Sequence, residues 1–146
     1  MTIRTVGDVK QWLKSYKSVQ REINDIELRI TQLRLKYGAP SAIQYSDMPK
    51  AHNNTDLSDF MVRLEELEQL LIDKHTYCIG KSVEYLQAGE LLPYEEAHVI
   101  KRRYIDGASW IQISSEIPCS ERTVYYIHGR ALKHLVNVCS SLHIEL

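Results

Sequence analysis

Residues Ser109 to Leu135 read SWIQISSEIPCSERTVYYIHGRALKHL, and the fold turns on how this stretch divides. Trp110, Ile113 and Ile117 recur at helical spacing, so they share the buried face of a short helix, which Pro118 stops. Ser120 is a good N-cap, and Glu121 stands in the first turn of the next helix, where the dipole favours a carboxylate. That helix turns Val124, Ile127, Ala131, Leu132 and Leu135 inward. Glu121, Arg122, Thr123, Tyr125 and Tyr126 are left outward near its start, with Arg130 and Lys133 further along. A short helix, a turn and a longer helix led by polar, aromatic and cationic side chains predict a helix-turn-helix whose second helix enters a DNA major groove.

Working outward, Leu92-Pro93 opens this C-terminal domain, residues 90–146, with Pro93 expected at the first helical position, where its missing N–H costs nothing. The supporting helix runs through Val99, Ile100 and Tyr104 to Gly107 as C-cap. Lys101 and Arg102 on it are candidates to face phosphates, with solvated surface charge the first expectation for either one singly.

Residues 1–89 predict a helical hairpin. Val6, Val9, Leu13, Tyr16, Val19, Ile23, Ile26, Ile30, Leu33 and Tyr37 settle into alternating steps of four and three, the stripe of a coiled-coil helix over about 5–37. Gly38 and Pro40 end it. The polar stretch 38–55 is a linker. A second helix, about 56–88, carries Leu57, Phe60, Leu64, Leu67 and Leu71, and Gly89 is expected to close it. Residues 1–55 hold 9 Lys or Arg against 5 Asp or Glu, and residues 56–91 hold 3 against 8, which supports a cationic helix facing an acidic one across an antiparallel seam, though the same two helices could equally pair between chains. Leu70, Ile72 and Ile79 lie off that seam. They imply packing on the C-terminal domain or pairing with a second subunit, and a homo-oligomer, a dimer first, is expected. The fold class is therefore all-α: a long antiparallel hairpin followed by a three-helix domain.

The chain has 44% hydrophobic residues and a net charge of -1. No apolar run approaches the length that crosses a bilayer, and the N-terminus lacks the apolar core of a signal peptide, so a cytoplasmic protein without a membrane partner is expected. Cys78, Cys119 and Cys139 are widely spaced and read as reduced thiols. Neither a metal nor a cofactor is implied: no glycine-rich phosphate loop, metal-ligand spacing or nucleophile motif is present, and the histidines are scattered. An enzyme is not expected. From Ser120 to Leu135, Arg122, Arg130 and Lys133 stand against one acid, Glu121, a local excess that suits contact with a few phosphates.

From Leu92 to Leu135 the motif order RRYIDG, SWIQIS, SERTV and RALKHL resembles region 4 of sigma-70-type bacterial sigma factors and their relatives. YYIHGRALKHL, together with YSDMPKA at Tyr45 to Ala51, is similar to the ArpU/RinA-like phage late-gene transcription regulators. The resemblance implies a DNA-binding regulator of late, packaging or lytic genes acting at a promoter, with host RNA polymerase as a further partner. It assigns base reading to Glu121, Arg122, Thr123, Tyr125 and Tyr126, and phosphate contact to Ser109, Gln112, Arg130 and Lys133. Arg122 can donate twice to guanine, Glu121 can accept from cytosine, and Thr123 or a tyrosine ring can meet a thymine methyl. In the same pattern Arg103 and Tyr104 anchor the supporting helix.

This chain departs from that pattern in three places. Ser114 replaces the usual alanine and requires a bond back to the helix backbone. Pro118 replaces the turn glycine and cannot adopt positive φ. Gly129 lies mid-helix and suggests a bend or the close approach of another backbone. Two rival readings stand beside the regulator: a small terminase subunit that recognises a packaging site, and a module that docks on polymerase or another protein without touching DNA.

Overall fold

The structure, a computed structural model, describes residues 1–38 and 54–146. The expected linker, including YSDMPKA, lies outside the described residues apart from its two ends. The chain is all-α. Its helices are α1 (Val6–Gly38), α2 (Asn54–Glu90), α3 (Tyr94–Ile100), α4 (Trp110–Glu116) and α5 (Glu121–Ser141), and a π-helical turn, Lys101–Ile105, extends α3. None of these helices is long and apolar enough to cross a membrane.

Two compact units emerge, and they are cut differently from the expected boundary at 89/90. One comprises residues 1–19 and 78–146, the other residues 20–77. The first unit recruits the start of α1 because Ile3, Val9, Trp12 and Leu13 are apolar and pack with Ala88, Leu92, Ile100 and the second half of α5, Ala131 to Cys139. A second cluster, Val99, Ala108, Ile113, Val124 and Ile127, joins α3 and α4 to the first half of α5. The two ends of the chain meet in this unit. Thr2 and Glu145 form an antiparallel bridge, the Leu146 N–H donates to the Met1 carbonyl at 3.0 Å, and Ile144 is buried beside Ile3. Thr5 and Asp8 cap α1 reciprocally: the Thr5 N–H donates to Asp8 at 2.9 Å and the Asp8 N–H to the Thr5 hydroxyl at 3.1 Å.

In the unit of residues 20–77, Ile23, Ile26 and Ile30 of α1 are buried and Phe60, Leu64, Leu67 and Leu71 of α2 are half-buried. Leu57, expected on the same seam, is 61% exposed. Arg34 pairs with Glu68 at 2.6 Å, with the expected polarity. Glu22 with Lys74, and Glu27 with His75 at 3.7 Å, pair with the opposite one. The seam is thus matched charge by charge, not helix by helix.

Three local expectations are corrected. Pro93 is the N-cap, with φ -54° and ψ 147°, one residue before the helix starts. Gly89 does not close α2, which continues to Glu90; among the described residues Gly107 is the glycine with positive φ, at 71°. Of the two expectations for Gly129, the close approach of another backbone is not found among the described residues, where a Cβ built on it meets nothing within 4 Å.

Candidate nucleic-acid interface

The α4–α5 stretch folds as its caps dictate. Ser109 caps α4 in a reciprocal box: its hydroxyl accepts the Gln112 N–H at 3.3 Å, and the Gln112 carbonyl oxygen accepts the Ser109 N–H at 2.9 Å. Those two expected phosphate contacts therefore already serve the helix start, though the Gln112 amide nitrogen is left over. The Ser114 hydroxyl donates back to the Ile111 carbonyl at 2.8 Å, the bond its position requires.

Pro118 is accommodated without any positive φ. The Cys119 N–H donates to the Ile117 carbonyl at 2.6 Å, closing a three-residue turn centred on the proline. Ser120 then caps α5, accepting the Thr123 N–H at 3.3 Å. The Thr123 hydroxyl is 3.0 Å from that of Ser120, so it is drawn into the cap.

α5 presents two unlike faces. Val124, Ile127, Ala131, Leu132 and Leu135 are buried, as the spacing predicts. Arg122, Tyr126, Gly129 and Lys133 follow at steps of four, three and four and so line the opposite face. Tyr126 is 69% exposed. No ion pair engages Glu121, Arg122 or Lys133 among the described residues. Tyr125 belongs partly to the packing: its ring lies 4.6 Å from that of Trp110. Arg130 belongs partly to a lock, because its Nε donates to Glu96 at 2.6 Å, while its guanidinium carbon stands 5.7 Å from the Tyr126 ring.

Three constructions hold this face in place, the first two of which the sequence did not reveal. The first is Glu96 of α3, fully buried, which takes Arg130 on one carboxylate oxygen and His134 Nδ1 at 2.7 Å on the other. Placed after Pro93, Glu96 reads in sequence as an ordinary first-turn acid; its partners lie 34 and 38 residues away. The spacing of Arg130 and His134 by one helical turn was the available signal.

The second is an ionic tie from the π-turn to the end of α4. Arg102 meets Glu116 twice, at 2.8 and 2.5 Å, and Asp106 at 3.1 Å, while His98 Nε2 lies 3.2 Å from Glu116. Arg102 holds the Glu116 carboxyl below its ordinary range, and Glu116 raises the Arg102 guanidinium in return. Arg102 is not the freely solvated charge expected.

The third is a stack. Arg103 lies over Trp110, 4.4 Å from the ring centre, and its Nη1 donates to the Ala108 carbonyl at 3.1 Å. Trp110 meets His128 edge-on at 4.9 Å, and His128 stacks on Tyr104 at 5.8 Å with Nε2 3.1 Å from the tyrosine hydroxyl. Burial, then the charges of Lys10 and Arg103, push His128 down to about 4, so its imidazole is neutral near pH 7. The anchoring roles that the resemblance implies for Arg103 and Tyr104 agree with this geometry.

The arrangement offers a rigid helix start with an acid, a cation and a phenol pointing outward, and a second cation 11 residues on. Such a face can donate to and accept from base edges while a further cation reaches a phosphate. No family model, curated protein or solved structure matches this chain.

Proposed function

We propose that this chain is a sequence-specific DNA-binding transcriptional regulator, with α4 and α5 acting as a helix-turn-helix and α5 entering the major groove of duplex DNA. The observation that carries the reading is the division of labour among the cations of this region. Arg102, Arg103 and Arg130 are engaged within the fold, whereas Arg122 and Lys133 are presented on one outward face of α5. Arg122 on the leading turn is the base reader, with Glu121 and Tyr126 beside it; Lys133 and the terminal nitrogens of Arg130 contact phosphate. Charge on this face is modest, so affinity rests on a few contacts and falls with salt accordingly.

The likeness of Leu92–Leu135 to sigma region 4, and of YSDMPKA to the phage late-gene regulators, supports an activator of late genes in a bacterial host, acting as a homo-oligomer and working with host RNA polymerase. The experiment is a mobility shift on tiled fragments of the neighbouring genome at two salt concentrations. One fragment retained at the higher salt supports the reading. Uniform, salt-sensitive binding or none at all removes it.

A second reading has an observation of its own. Ile111 of α4 is 67% exposed, an apolar side chain that phosphate and base edges do not call for. Docking on polymerase or another protein would use it, and Ile111→Ser would then abolish partner binding while leaving any DNA affinity intact.

A further inference from the structure

The helix pair of residues 20–77 contains an open groove of about 540 Å³ with an apolar lining from Leu33 of α1 and Leu67 and Leu70 of α2. Its α1 side is cationic, through Arg29 and Lys36. The α2 side turns acidic just beyond Glu66. Asp59, Val62, Glu66, Gln69 and Asp73 succeed one another at steps of three and four and so share one face, which Glu65 adjoins. This face itself carries three acids, Arg63 adjoins it on the groove side, and Val62 stands exposed among the acids.

The two sides are complementary to each other in charge but lie on the same molecule. A twofold axis running across the helices would set the cationic α1 sides, with Arg29 and Lys36, against each other, a like-charge arrangement that costs stability. A twofold axis that slides the acidic face of each α2 along the cationic α1 side of the other chain meets both requirements at once, because an isologous contact repeats every pairing. It also lets Val62 and Leu70 of each copy cover the apolar lining of the other. Opposite charges flanking an apolar seam in this way fix partner and register.

We propose that the groove is occupied by a second copy of this chain, with the acidic face of its α2 along Arg29 and Lys36, and reciprocally. The inference rests on the self-association part of the reading above and not on DNA binding. Its readout is molecular mass without DNA, so the two fail separately.

The test is a charge swap in the full chain. One variant carries Arg29→Glu with Lys36→Glu; the other carries Glu65→Lys with Asp73→Lys. The wild type is expected to sediment as a dimer at micromolar concentration. Each variant alone, now facing like charge at both contacts, weakens dimerisation by at least about tenfold. An equimolar mixture, with one partner mass-tagged, regains a dimer containing one chain of each kind, seen by native mass spectrometry. Circular dichroism follows helicity throughout, and the mixing arm decides even where one variant alone is less helical, since only a reciprocal contact restores both. A monomeric wild type, a variant that dimerises as well as the wild type, or a mixture that recovers no mixed dimer would each overturn the proposal; the first would reserve the groove for a different molecule.

Discussion

Arg130 of α5 donates through Nε to Glu96 of α3 at 2.6 Å, and the side chain that accepts has no exposed surface. A carboxylate so buried is tolerable because Arg130 and His134 satisfy both its oxygens, whereas each of those partners remains half in water. Glu96→Ala removes both bonds and leaves a gap between α3 and α5, but strands no buried cation. It is expected to destabilise the fold by about 2 to 4 kcal/mol in urea denaturation. A change within a few tenths would mean that the carboxylate contributes nothing net.

Arg122→Ala tests the outward face. No ion pair engages Arg122 among the described residues, so stability should be unchanged while affinity for the specific fragment drops by about 1 to 3 kcal/mol. Equal retention of that fragment by wild type and variant in a titrated mobility shift would take Arg122 out of the reading set.

Gly129→Ala should raise stability by about 1 kcal/mol, since the new methyl meets nothing within 4 Å and alanine is the better helix former. The glycine shares its face with Arg122, Tyr126 and Lys133. A variant that melts higher but binds DNA less well would mark the position as one where the ligand comes close.

Gly107→Ala should do the opposite. Its φ of 71° is strained for any side chain, and the Cβ would stand 3.0 Å from Lys17 Nζ. The lysine end can move, so the backbone sets the cost, about 1 to 2 kcal/mol, read as a lower denaturation midpoint.

The pH dependence follows from His128, held at about 4 against an ordinary 6.5. Because the folded value is the lower one, the unfolded chain takes up the proton first as pH falls. The contribution is intact above about 6.5 and is lost progressively down to about 4. Glu116 and Asp8, both lowered, add their losses only below the ordinary carboxylate range. His128→Phe should therefore flatten the urea midpoint between pH 6.5 and 4 while leaving the steeper acid limb. An unaltered profile would place the titration elsewhere.

Much of this architecture was legible because it is local. Ser120 as cap, Pro118 as stop and the inward set from Val124 to Leu135 each depend on neighbours within a turn or two, and periodicity reports such neighbours. The long α1 stripe from Val6 to Tyr37 was equally plain, every member being buried or half-buried. What stayed hidden depends on partners far along the chain: Glu96 with Arg130 and His134, Arg102 with Glu116, and Ile3 with Ile144. The cut between units was missed for the same reason, since nothing in the α1 stripe marks where its partners change near Val19. Among the site residues, the sequence identified the outward side chains but not which ones the fold had already engaged. Ser109, Gln112, Thr123 and Arg130 look as free as Arg122 until their hydrogen bonds are known.

The π-helical turn at Lys101–Ile105 bears on how this chain tolerates insertion and deletion. Such a turn holds one residue more than an α-helix of the same rise, and here the widened backbone sends Arg102 to Glu116, Arg103 to Trp110 and Tyr104 to His128. Loss of a single residue would let α3 run on as a regular helix. The backbone would remain helical, but three consecutive side chains would swing by about 100° and miss their partners together. A one-residue gap at this place would thus be a frame error in three dimensions, silent to any measure of helical content yet felt at α4 and α5.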